Sequence, residues 1–145
     1  RDITADMIRL IVHQRNDTTV YNLANAVAAL NARAAFEAID ELQVDGDNRG
    51  AVLYAVTSAF LDLYRAACAR KAGVPVEQTA ADFDYGKRTF AVRNAFRDSS
   101  RMSIERLRRC VVILRDTTMT LNSSPADPRV AIEQAVTKML KADGR

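Results

Sequence analysis

The sequence predicts an all-α fold, a compact bundle of about seven to eight helices, on three observations. Gly (5) and Pro (3) are scarce among 145 residues, too few to supply the turns of a β-sandwich or barrel. Apolar residues make up 48% of the chain, with 6% aromatic, and they recur at three- and four-residue spacings rather than alternating as in a half-buried strand. Capping residues punctuate these stripes along the whole chain.

Each element can be justified in turn. Asp2 or Thr4 caps a first helix over Ile3 to His13, with Met7, Leu10 and Ile11 as its stripe. Asn16-Asp17-Thr18-Thr19 is expected to break it, and a second helix runs from about Thr19 to Leu30 with Leu23, Val27 and Leu30 on one face. Asn31 caps a third, carrying Ala35, Phe36, Ile39 and Leu42 until Asp45-Gly46 stops it. The short joint between the second and third predicts an antiparallel hairpin. Asp47 is expected to cap the longest helix, to about Ala72. Its Val52, Val56, Phe60, Leu63 and Ala67 form one stripe, widened by Leu53, Ala59 and Ala66, which marks the central, most buried element. Gly73 suits its left-handed end.

Pro75 restarts a short helix that Gly86 is expected to close. A helix from Thr89 to about Ser99 presents Phe90, Val92, Ala95 and Phe96. Ser103 opens the next, to about Leu121, with Leu107, Val111, Leu114 and Leu121 as its stripe. Asn122-Ser123-Ser124-Pro125 reads as a loop, and Asp127-Pro128 as an N-cap followed by a first-turn proline. The last helix buries Val130, Ile132, Ala135, Val136, Met139 and Leu140 and frays from Lys141 to Arg145.

Composition removes several functions. No segment of about 18 consecutive apolar residues exists, so no membrane span is expected, and no apolar run behind the N-terminus forms a secretory leader. Position 1 is Arg rather than Met, which reads as a piece of a longer protein. His13 is the single histidine, and no Cys or carboxylate cluster joins it at metal-ligand spacing, so no metal site is expected. The glycines are solitary and build no phosphate-cradling loop, and G-x-S-x-G is absent, so neither a cofactor site nor catalytic residues are expected. Cys68 and Cys110 sit in apolar helical stretches without a C-x-x-C pair and read as small hydrophobes in a reducing, cytoplasmic setting.

Charge is unevenly placed. The chain carries only +3, but residues 87–115 hold nine Lys and Arg against Asp98 and Glu105, a local +7. Such a segment can be a solvated helix face whose Arg stems cover apolar surface, an arginine-rich protein contact, or a phosphate-binding surface.

Three stretches, in order, resemble the C-terminal part of the delta subunit of the bacterial DNA polymerase III clamp loader. The first is Thr19-Val20-Tyr21-Asn22-Leu23-Ala24-Asn25-Ala26-Val27 followed by Ala34-Ala35-Phe36-Glu37-Ala38-Ile39-Asp40-Glu41-Leu42. The second is Phe90-Ala91-Val92-Arg93, with Ser103-Ile104-Glu105-Arg106-Leu107 ten residues on. The third is Asp127-Pro128-Arg129-Val130-Ala131-Ile132-Glu133, which is similar to the family's opening of its last helix. The chain departs from the family pattern at Phe60-Leu61 and at Asp98-Ser99-Ser100.

The resemblance implies a helical collar domain at residues 16–145, with residues 1–15 as the tail of a preceding AAA+ lid domain. It implies a non-catalytic oligomerisation role within the DNA polymerase III holoenzyme, a nucleotidyltransferase as a whole, with no cofactor and no small-molecule substrate. The implied partners are gamma or tau and delta-prime subunits through the collar, while sliding clamp and DNA are met through other domains or the complex. Phe60, Tyr64, Arg93, Arg97 and Arg101 are the candidate subunit contacts. Two other readings stand beside this one: a free-standing helical protein-binding adaptor, and a helical nucleic-acid-binding domain using residues 87–115.

Overall fold

A computed structural model describes residues 4–141. Among them run seven α-helices and two single 3₁₀ turns, with no strand. The helices are α1 (Ala5–Ala28), α2 (Ala32–Leu42), α3 (Arg49–Ala72), α4 (Val76–Asp82), α5 (Thr89–Asp98), α6 (Ile104–Ser123) and α7 (Pro128–Lys141). The all-α expectation holds.

Local chemistry sets most boundaries. The Asn31 side chain accepts from the Ala34 amide at 3.1 Å and opens α2, and α1 and α2 pack as a hairpin. The Ser103 hydroxyl accepts from the Arg106 amide at 3.1 Å at the start of α6. Asp127 accepts from the Arg129 and Val130 amides at 2.9 and 3.1 Å, with Pro128 in the first turn of α7. Gly73 ends α3 at φ +74°, a conformation that a Cβ would strain.

Several boundaries depart from expectation. Residues 16–19 do not break a helix: α1 is continuous from Ala5 to Ala28. Asn, Asp and Thr cost only tenths of a kcal/mol each in a helix interior, unlike Gly or Pro, so they lower propensity without ending the element. The stripe expected near residues 8–13, with His13, lies outside the described side chains, and Met7 is exposed. Gln43, not Gly46, turns the chain after α2, at φ +49°. Asp47 does not cap α3; Asn48 stands at that position, and the loop is held by Asp45 accepting from the Asp47 and Asn48 amides at 2.8 and 2.9 Å. α4 ends at Asp82, before Gly86. α6 continues through Asn122 and Ser123, which were expected in a loop. Val130 and Phe90 are exposed rather than packed inside. The fraying expected beyond Lys141 falls outside the described residues.

α3 is the hub, packed against α1, α4, α5 and α6. Val52, Val56, Phe60, Leu63 and Ala67 are buried along it, as the stripe required. By length and composition alone α3 could span a membrane, contrary to the sequence expectation. It is instead the core helix of the bundle. Asp62 and Arg65, midway along it, both bond to Tyr85, and such groups are costly to place in hydrocarbon. Cys68 and Cys110 are both free thiols, the latter buried, and burial pushes its pKa up to about 11, so it is an inert hydrophobe.

Candidate subunit-contact groove

A surface concavity of about 540 Å³ lies where α1, α3 and α5 meet. Its construction follows from the helix stripes. Val56 and Phe60 of α3 and Val92 of α5 are buried in the core, while Ala55, Ala59 and Ala91 line the concavity. Val20 and Ala24 of α1 and Leu63 of α3 complete an apolar floor. Two aromatic side chains stand at its edge in solvent: Tyr54 of α3, 74% exposed, and Phe90 of α5, 62% exposed. Exposed aromatics beside an apolar concavity are common features of interaction surfaces.

Two polar networks close the groove's walls. In the first, the Tyr21 hydroxyl donates to Asp98, while Arg97 donates to the Tyr21 oxygen at 2.6 Å and to Asp98 at 3.2 Å. Partial burial pushes the Asp98 carboxyl upward, but hydrogen bonds from Arg97 and Tyr21 and the charges of Arg97 and Arg101 outweigh it. The group therefore sits below the usual carboxylate range. Burial and the bond to Asp98 raise the Tyr21 phenol. In the second, Tyr85 donates to Asp62, Arg65 donates to the Tyr85 oxygen at 3.2 Å, and Arg88 reaches Asp62 at 3.4 Å. Burial dominates at Asp62 and raises its pKa despite these partners. Arg65 also stacks 4.6 Å above the Phe83 ring. Arg101 donates to Asn25, another groove residue, at 3.2 Å.

The five candidate contact residues separate cleanly. Phe60 is 0% exposed, on the core stripe of α3, so it offers no surface to a partner. Tyr64 is half-buried against the core, and its oxygen accepts from Arg108 at 3.4 Å on a different face. Arg97 and Arg101 hold groove-lining side chains, and Arg93 is exposed on the same helix as Phe90. Arg97 and Arg101 thus bond to residues that line the groove, while Arg93, Phe60 and Tyr64 are not among its lining. Sequence reasoning missed Tyr54, whose one signal was its position off the Val52–Val56 stripe. Of the nine cations in residues 87–115, Arg106 is the most buried: it is 6% exposed and donates to the Val27 carbonyl at 2.7 Å. Among the described residues no three His, Cys, Asp or Glu side chains gather as a metal site would.

Comparison with known proteins agrees with this architecture. No curated protein matches the sequence. The solved Bacillus subtilis DNA clamp loader delta protein superposes with a TM-score of 0.78 at 16% identity, over 96% of this chain and 40% of that one. The chain therefore corresponds to less than half the length of that protein and shares its fold there. Residues 17–139 match the family described as DNA polymerase III delta subunit, C-terminal domain. That match covers most of the chain, and the protein belongs to this family.

Proposed function

We propose that this domain is a non-catalytic oligomerisation module of a clamp loader delta subunit, working in the cytoplasm during DNA replication. It holds the subunit beside gamma- or tau-like and delta-prime-like neighbours, so that ATP-driven movements elsewhere in the complex act together on the sliding clamp. Residues 16–145 are read as the collar and residues 1–15 as the end of a preceding AAA+ lid domain, which puts the boundary inside the continuous helix α1. One observation carries the reading beyond family membership: the groove pairs an apolar floor with exposed Tyr54 and Phe90 and a cationic edge. A rigid aliphatic bundle suits a mechanical role, since packed helices keep fixed positions under load. A collar contact of ordinary size would bury roughly 1,600 Å² in total.

Reconstitution of the clamp loader from full-length subunits tests this. The Arg93→Glu, Arg97→Glu, Arg101→Glu triple variant is expected to lose co-elution with its partner subunits while keeping its helical circular dichroism. Unchanged co-elution of the folded triple variant would reject the role.

A further inference from the structure

We propose that the α1–α3–α5 groove seats one acidic amphipathic helix of a neighbouring subunit, an inference that rests on the oligomerisation reading and names the occupant. Three features define that occupant. Alanines, Ala24, Ala55 and Ala59 among them, alternate with larger aliphatic residues along the floor, so a helix can pack at ordinary interhelical distance, about 8–10 Å. Tyr54 and Phe90 project from α3 and α5 as two anchors for the apolar face of such a helix. The α5 edge is positive: Arg88, Arg93, Arg97 and Arg101 are exposed, and although Arg88 is paired with Asp62 and Arg97 with Asp98, Arg93 and Arg101 have no carboxylate partner among the described residues. The complementary partner is a helix with apolar residues at three- and four-residue spacing and Asp or Glu along one flank.

The groove suits other occupants less well. Its floor is apolar, which suits the apolar face of a helix and gives a phosphate backbone nothing to bond to. A second copy supplies a poor match, because acidic α2 exposes Glu37 and Glu41 but buries Ala35, Ile39 and Leu42.

The test uses the full-length subunit in the reconstituted clamp loader, with photoreactive benzoylphenylalanine at position 54, 90 or, as a control on α6, 119. Adducts from 54 and 90 are expected to map to one helix of a partner subunit with acidic residues flanking an apolar stripe. Position 119 is expected to give no adduct with that helix. Tyr54→Ala and Phe90→Ala are each expected to weaken partner binding about tenfold, and the loss caused by Arg93→Glu is expected to be recovered by reversing a facing acid on the partner. If the complex assembles and positions 54 and 90 cross-link only to DNA, to a second copy or to nothing, the inference falls and the oligomerisation reading survives. A wild-type subunit that never joins its partners removes both.

Discussion

Arg106 reaches from α6 to the end of α1, where its Nη2 donates to the Val27 carbonyl at 2.7 Å, and the side chain is almost wholly buried. The Val27 carbonyl also accepts from the Leu30 amide at 3.0 Å, and Arg106 adds a charged donor at the negative end of the helix dipole. Arg106→Met keeps the apolar stem but leaves that carbonyl without its charged donor. The expected cost is about 1.5–3 kcal/mol, seen as a lower urea midpoint at unchanged m-value. Asp98 gives a prediction with a pH sign. Its folded pKa lies below the ordinary 3.8, so the stability it adds is complete above that value and is lost as pH falls through the folded pKa. Asp98→Asn is therefore expected to show a flatter decline of stability below about pH 4 than wild type, measured by urea unfolding across the acid range. Phe60 shows what could be read at this scale. Its place on the Val52–Val56 spacing already put it in the core, and only the resemblance drew it toward a surface role.

At the scale of elements, the local signals were legible where one residue's chemistry decides the outcome. Asn31, Gly73, Ser103 and Asp127 each act through their own side chain or backbone freedom, and all four hold their expected places. The run at residues 16–19 was misleading because weak propensities add up slowly, whereas helix continuation gains a hydrogen bond per residue. Thr18→Pro separates the two descriptions. In a continuous α1 the substitution removes an interior bond and clashes with the preceding turn, costing about 3 kcal/mol. At a break between two helices it would be nearly neutral. A drop in Tm of the purified domain, with lost ellipticity at 222 nm, is the expected result. The groove was not legible in this way. Tyr21, Tyr54 and Phe90 lie on three different helices, and no spacing along the chain announces that packing brings them to one edge.

For the molecule as a whole, the division of surfaces follows from which helices share the centre. α3 spends its sides on α1, α4, α5 and α6, so most of the cations of residues 87–115 are carried outward, while Arg106 is buried and Arg109 half-buried. The fold was legible because an aliphatic, glycine-poor chain with regular stripes has few ways to bury itself other than as stacked helices. The direction each charged side chain takes depends on neighbours distant in sequence, which is why the positive segment could be counted but not oriented. The central position of α3 also has a bearing on biosynthesis. Its covering partner α6 begins at Ile104, well after α3 ends at Ala72. At about 5–20 residues per second, the ribosome leaves that greasy strip waiting a few seconds for its lid. In that interval the nascent chain exposes apolar surface of the kind that chaperones exist to shield.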